Sequence, residues 1–453
     1  MIGLNRISLY KNFNKESRTL GKKKFWILIV LMLLVLYVAG NKIVSLLQTS
    51  KLDLEVSEDY EEIIEEYLLN NYSTINPKND EDFEDLSILD SDLEGKEIFF
   101  TGELHGVEAN AGLRMKFLKY FKEKTDFKYY LCELGYSHAY FLNKYLDTGD
   151  TKILEELYKP LKGTFEWNKS NYSHWKMLYE YNKTLPEDKR IQVVGVDIEH
   201  QIDVAYKYLA DVLPEVEAPI EIKDKIDGIK AILDIDNKFN DGVAVEFSRE
   251  LLKDIADKES IYKEYLGDNF KGFKFVNQNI LNTVAAYENN NNDYDWNNTR
   301  DKFIYENFLA IQEELPKGKY YGQWGLNHAF QSEEDGVMWF GAYLNREGSA
   351  FKDKILTIAY FYDNCMQMNR TNTRAYISIK LNFIPEIFKK VNDLTGSNIN
   401  IYKLNSKDSP FYELNMNSTL SGKELEAKIT DFFQYVVCIK GSKATEPLND
   451  EYN

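Results

Sequence analysis

The sequence predicts an α/β fold: a central, mainly parallel sheet flanked by helices with a helical insertion, preceded by one N-terminal transmembrane helix. Three observations predict it. From Lys96 onward, short apolar runs that end in polar turns alternate with stretches of helical periodicity. Residues 218–315 read as almost entirely helical, and near the N-terminus a basic leader opens onto a long apolar run. Strands that alternate with helices imply parallel pairing, because the chain must cross back over a face of the sheet between strands.

Residues 1–24 form the leader. Arg6, Lys11, Lys15, Arg18, Lys22, Lys23 and Lys24 face one acid, Glu16, giving +6. Phe25 to Gly40 is almost unbroken apolar sequence (FWILIVLMLLVLYVAG), and IVSLL extends it past Asn41-Lys42 to residue 47. A helix crosses a bilayer core in about 20 residues, so 25–47 is expected to span the membrane. Basic residues stay on the cytoplasmic side during insertion. A single-pass protein of the cell membrane is therefore expected, with its N-terminus cytoplasmic and its C-terminal domain extracytoplasmic. A cleaved signal peptide is the alternative, with Val38-Ala39-Gly40 offering small residues at a processing site.

Residues 48–95 are rich in acids (EDYEEIIEEY, NDEDFEDL), with Ile63, Ile64, Tyr67 and Leu68 at helical spacing. They are expected to form a solvated linker with a short helix. From 96 to 445 a single domain is expected. EIFFTGE, FKYYLCELG and IQVVGVDIE read as strands, each followed by a helical stretch. After the insertion at 218–315, KYYGQWG, KILTIAYFYDN and YVVCI return to strand texture and complete the sheet. Residues 446–453 are polar and are expected to fray.

The whole chain carries −18, so the part after Lys24 carries −24. Such an acidic domain argues against nucleic acid as a partner, whose phosphates demand clustered Lys and Arg, and equally against a polybasic lipid-binding surface. Membrane contact is expected only through the N-terminal helix. Cys132, Cys365 and Cys438 are too few and too dispersed for a disulfide framework. The fold must rest on its core, which 44% apolar residues can fill.

The chain has five histidines, and three follow apolar runs closely: His105 in FFTGELHG, His200 in VVGVDIEHQ and His328 in GQWGLNHAF. Glu103, Glu133, Asp197 and Glu199 also fall at strand ends. In a parallel sheet the C-terminal strand edge is where ligands bind, so acids and imidazoles converge on one edge. An imidazole oriented by a carboxylate can activate water. The same groups can ligate a divalent metal, with His105, Glu133 and His328 as candidates, although no H-E-x-x-H helix or cysteine pair selects for one. His138 and His174 lie in helical stretches and read as partly buried, hydrogen-bonded histidines. Cys132, inside an apolar strand, reads as an inert core thiol. No G-x-S-x-G elbow occurs, which argues against a serine hydrolase.

GELHG with Arg114 following, CELGYS, GTFEWNKSNYSHWKMLYEYN, GVDIEHQ, NTRDKFIYENF and GLNHAF occur in this order within residues 96–445. Together they resemble the erythromycin-esterase-like family, part of a wider superfamily with ChaN-like and TraB/Tiki-like relatives. The resemblance implies an active cleft lined by Glu103, His105, Arg114, Glu133 and His328. Arg300, Asp301 and Asn307 resemble a helical R-D…E-N signature of that family. Three details depart from the esterase pattern: only Leu104 separates Glu103 from His105, Asn327 directly precedes His328, and Glu199 stands where glutamine is usual. The shorter spacings are closer to the ChaN-like and TraB/Tiki-like side, parts of which bind metal or haem.

The sequence therefore leads to an expected extracytoplasmic hydrolase, favoured as an ester hydrolase with no required cofactor and a small-molecule or envelope-derived substrate. His105 is expected to deprotonate water, Glu103 or Glu133 to orient it, and Arg114 and His328 to bind substrate or the oxyanion. Asp197, Glu199, His200, Arg300 and Asp301 are expected to support them. A metal-dependent hydrolase or peptidase and a non-catalytic ligand-binding protein of the same fold are the alternatives.

Overall fold

The computed structural model describes residues 54, 57–234, 241–289, 292–370 and 376–448. The expected leader at 1–24 and transmembrane helix at 25–47 lie outside them. Among the described residues, no helix is long and apolar enough to cross a membrane.

The chain runs α1 (Glu58–Asn70), β1 (Tyr72–Thr74), β2 (Ile98–Glu103), α2 (Ala109–Thr125), β3 (Tyr129–Gly135), α3 (Tyr136–Thr148), α4 (Thr151–Tyr158), α5 (Lys169–Thr184), β4 (Gln192–Asp197) and α6 (Ile202–Asp211). Five helices follow: α7 (Lys223–Asp234), α8 (Asp241–Asp257), α9 (Glu259–Leu266), α10 (Phe270–Glu288) and α11 (Asp293–Gln312). The sheet resumes with β5 (Tyr320–Gly325), α12 (Phe340–Asn345), β6 (Ile355–Arg370), β7 (Tyr376–Phe383), α13 (Glu386–Thr395) and β8 (Ile399–Lys403). A small hairpin, β9 (Asn415–Asn417) with β10 (Glu424–Lys428), precedes α14 (Ile429–Phe432) and β11 (Tyr435–Lys440).

The strand order is β1-β8-β11-β6-β2-β5-β3-β4, with β7 added to β6. The six strands from β11 to β4 are parallel, while β8, β1 and β7 pair antiparallel. All six residues of β2 are buried, as a strand with both faces covered requires. Its side chains alternate between two cores. Phe99 joins Tyr130, Tyr321 and Leu356 on one face, while Ile98 and Phe100 join Leu131, Val194 and Trp324 on the other. A third core, including Tyr206, Ile229, Leu251, Phe273 and Ile280, closes α6–α10 as a helical layer.

β5 slots between β2 and β3 although the helical insertion separates it from both in sequence. This return places the ends of β2, β3 and β5 side by side. The rear half of β6 projects past the sheet and braces the turn after β2, where Met368 N donates to Gly106 O at 2.8 Å. Gly106 has φ +86°, and a Cβ there would lie 2.6 Å from Met368 O, so only glycine fits.

Two expected boundaries are corrected. Residues 58–95 are part of the domain and not a solvated linker: Ile64 and Leu68 of α1 are fully buried, and β1 pairs with β8. The acidic loop is held by Lys116 of α2, which is 1% exposed. Its ammonium donates to the carbonyls of Asn76 (3.1 Å), Asn79 (2.8 Å) and Asp82 (2.8 Å) and pairs with Asp85 at 2.8 Å. The acids and carbonyls that read as a linker wrap a buried cation. Removing one member of a buried ion pair strands the other, so Lys116→Met is expected to lower unfolding free energy by about 3–5 kcal/mol, read from denaturant midpoints.

The tail is likewise tied down as far as Leu448. Glu108 N donates to Lys443 O, Thr445 N to Gly106 O, Lys169 N to Glu446 O and Leu448 N to Trp167 O, at 2.9–3.1 Å. These bonds satisfy backbone groups on both strands of contact and close the loops beside the β2 end.

Candidate active site

Glu103 is the last residue of β2, and its carboxylate is shared by two donors. Gln323 Nε2 of β5 donates to Oε2 at 2.7 Å, and His105 Nδ1 lies 2.9 Å from Oε1. The loop is fixed from behind, because Gln367 Nε2 of β6 donates to His105 O at 2.7 Å. With Nδ1 on Glu103, His105 turns Nε2 toward Glu133 Oε2 of β3, 3.9 Å away. That gap is wider than a direct hydrogen bond.

Glu133 is held by Gly325 N, which donates to Oε2 at 2.9 Å, and by Arg300 Nη2 of α11 at 2.7 Å. Arg300 is the hub of the site. Its Nε and Nη2 fork onto Asp197 at the end of β4, with Nε 3.1 Å from Oδ1, and its Nη1 meets His328 Nε2 at 3.1 Å. His328 Nδ1 in turn lies 2.8 Å from Asp301 Oδ1, which also accepts Phe340 N at 2.7 Å. A planar guanidinium suits such a bidentate pairing.

The cleft has a volume of about 390 Å³. It is lined by Glu103, His105, Glu133 and Arg300 together with Tyr130, Leu161, Phe165 and Trp175. Arg114 of α2 and Glu166 join them through Asn171: Arg114 Nη2 donates to Asn171 Oδ1 at 3.1 Å, and Asn171 Nδ2 donates to Glu166 Oε2 at 2.9 Å. Arg114 Nε is buried with no hydrogen-bond partner among the described residues.

Charge settles the protonation states. Burial alone would lower the His105 pKa, but the Glu103 hydrogen bond and the charges of Glu133 and Glu166 outweigh it and push the value up to about 9. Burial would raise the Glu133 carboxyl, but His328, Arg300 and His105 hold it down to about 2. Asp197, despite its burial, is held well below the usual range by Arg300 and His200. For His328, burial is outweighed by Asp301 and Glu133, and the pKa rises.

The structure brings together Glu103, His105, Glu133, Arg114 and Arg300 at the cleft, with His200 at its edge. His200 Nδ1 contacts Tyr287 OH at 3.0 Å and Nε2 lies 3.4 Å from Asp197. Four expected site residues stand elsewhere, the first being Asp197, which is fully buried and paired with Arg300. His328 and Asp301 lie behind Arg300, both ring nitrogens of His328 being engaged, so the position expected to face substrate instead holds the arginine. Glu199 does not reach the cleft: it is fully buried and accepts Ser137 N (3.2 Å) and Ser137 Oγ at the start of α3. Burial raises its pKa to about 7 against the opposing Ser137 bonds.

Among the described residues, no group of three or more His, Cys, Asp and Glu side chains is disposed to hold a metal ion. Of the candidates, His328 and His105 both approach Glu133, at 3.5 and 3.9 Å, but the Arg300 guanidinium, itself a cation, already occupies Glu133 Oε1 and His328 Nε2. That donor set does not fit a metal.

His138 and His174 are buried, and burial lowers both pKa values, to about 3 for His138. The expected hydrogen bonding fails for His174, whose ring nitrogens have no partner among the described residues and which packs against Tyr130 and Trp175. Cys132 is a buried core thiol whose pKa burial raises. Gln323, Glu166, Phe165, Trp175 and Asn171 were not anticipated in the cleft. Gln323 sits at an alternate position of a strand, where period-2 patterning gives a signal; Phe165 and Glu166 lie in the GTFEWNKSNYSHWKMLYEYN motif, which marks the stretch but assigns no role to a residue in it.

Fold and cleft define the class: an α/β domain with a histidine, carboxylate and arginine cleft at the C-terminal edge of its parallel strands. The chain matches no family model and no curated protein by sequence. Its fold is shared with solved structures. A succinoglycan biosynthesis protein is 13% identical over 87% of this chain and 100% of its own, with a TM-score of 0.66. A Bacillus cereus protein is 16% identical over 85% of this chain and 99% of its own, at 0.64. An erythromycin esterase mutant in its open conformation is 16% identical over 83% and 99%, at 0.61. At these identities the likeness is one of fold, and it agrees with the fold that the motif resemblance implied.

Proposed function

We propose that this chain hydrolyses ester bonds by a water that His105 activates, and that the apolar run at 25–47 carries the domain on the outer side of the membrane. One observation carries the chemistry: Glu103 fixes His105 through Nδ1 and leaves Nε2 open to the cleft, 3.9 Å from Glu133. A water between His105 and Glu133 would be held by both groups and would lose its proton to Nε2. Arg114 lines the cleft and supplies a guanidinium N–H for the carbonyl oxygen as it gains charge. The hydroxide so formed adds to the ester carbonyl carbon, and as the tetrahedral intermediate collapses and its C–O bond breaks, the His105 imidazolium returns the proton to the departing alkoxide. Arg300 neutralises Glu133 and Asp197 so that two buried carboxylates tolerate each other. The fold shared with an erythromycin esterase supports the class; the outward placement, which the basic leader supports, directs the reading to envelope or environmental esters.

The test is a panel of membrane-impermeant esters offered to intact cells and to the purified chain. His105→Ala is expected to lower turnover about 1000-fold, within the range for general acid–base groups, with the far-ultraviolet circular dichroism of the folded chain retained, while wild-type turnover is insensitive to chelators. Equal turnover by His105→Ala would overturn the reading, and loss on chelation with recovery by a divalent ion would favour the metal-dependent alternative.

A further inference from the structure

Glu334 lies in the loop between His328 and α12, is fully buried, and pairs with no Lys or Arg among the described residues. Its carboxylate instead gathers four donors and shares a fifth, the Ser418 hydroxyl, with Asp335. Oε1 accepts Ser418 Oγ (3.2 Å), Thr419 Oγ1 (2.8 Å) and Thr419 N, while Oε2 accepts Asn327 Nδ2 (2.9 Å) and Trp339 Nε1 (3.0 Å).

Both donors on Oε2 lead to His328. Asn327 is the residue before it in the same turn. Trp339 stands edge-on to the His328 ring, with centroids 5.5 Å apart and planes at 89°. The next residue, Phe340, donates its N–H to Asp301 Oδ1, the oxygen that holds His328 Nδ1. The donors on Oε1 come from the loop of the β9–β10 hairpin, which is remote from the cleft in sequence.

We propose that Glu334 is a positioning residue: it fixes the orientation of His328, and through it Arg300 and Glu133, and makes the β9–β10 hairpin part of the support of the cleft. Its kinetic consequence rests on the hydrolase reading; its structural consequence does not. The chemistry requires a carboxylate, because every partner is a donor and only an ionised acid offers two acceptor oxygens and no hydrogen. A glutamine of the same shape would turn an NH₂ group on at least two buried donors and leave them unpaired.

The experiment is Glu334→Gln in the full chain, followed by ester kinetics and by nitrogen NMR of the histidine rings, which number five. The expected result is a fall in kcat of about 100-fold with KM within about threefold, as displacement of a catalytic group gives. With it the His328 ring nitrogens should shift from one tautomer toward an average of two. Unchanged His328 resonances would overturn the proposal, whatever the kinetics. If the wild-type chain hydrolyses no ester, the functional reading fails while the resonances still decide the role of Glu334. Should Glu334→Gln not fold, Glu334→Asp keeps the charge and both acceptor oxygens but draws them back by one methylene; a smaller shift of the same His328 resonances supports the proposal, and none overturns it.

Discussion

Ester hydrolysis is expected to rise about tenfold per pH unit from pH 6 and to level off near pH 9, when kcat/KM is followed across that range. The cause is the proton on His105. Glu103, Glu133 and Glu166 together overcome the effect of burial and hold the imidazolium up to about pH 9. A base must first lose that proton, so at pH 7 only about one molecule in a hundred is competent. The sign follows from the charges: lowering the negative charge around His105 releases its proton earlier. Glu166→Gln, which removes one of the three carboxylates, should therefore move the midpoint to lower pH. The same shift has an opposite consequence for stability. A pKa raised above its unfolded value of about 6.5 contributes stability that is complete below that pH and is lost as pH rises through about 9. Catalysis thus gains where the fold gives up a favourable interaction. A pH-independent rate between 6 and 9 would remove His105 from the role of base.

Replacing Arg300 by Met is expected to reduce unfolding free energy by about 3–5 kcal/mol at neutral pH and to abolish turnover. Arg300 is 12% exposed at its side chain, and the carboxylates it joins are 16% exposed at Glu133 and 0% at Asp197. Methionine fills similar volume but leaves both acids buried without their cation. Glu133, held down to about 2 in the folded state, contributes stability that is present above its unfolded pKa and is lost as pH falls toward 2. In the variant that contribution is gone. The difference between wild type and variant should therefore shrink as pH is lowered from about 4.5 toward 2, because protonation relieves the stranded carboxylates. Denaturant unfolding of both proteins across that range measures it; a difference independent of pH would show that packing, and not charge, is what Arg300 supplies.

The part of the site that the sequence revealed is the part that local patterning controls. Glu103, Glu133 and Asp197 each lie in or at the end of an apolar run, and a parallel sheet delivers such ends to one edge. Burial of both faces writes a parallel strand as a continuous apolar stretch, so β2, β3 and β4 were readable. The acidic stretch at 58–95 misled because charge pattern alone cannot distinguish a solvated run from one whose carbonyls and carboxylates surround a buried lysine. Lys116 is distant in sequence, and nothing local marks it as the partner of Asn76, Asn79 and Asp82.

By itself, then, the sequence determined the alternation of strand and helix, the helical layer between β4 and β5, and the placement of acids and histidines at strand ends. These depend on periodicity and on which residues can leave water, both of which are local. Tertiary structure alone decided that β5 enters between β2 and β3, that Arg300 from α11 reaches Glu133, Asp197 and His328, and that His328 supports the cleft and does not line it. Apart from the Arg300–His328 contact, which spans 28 positions, those facts depend on contacts between residues more than a hundred positions apart. No stretch of chain encodes such contacts locally, because their energy exists only when the sheet has closed.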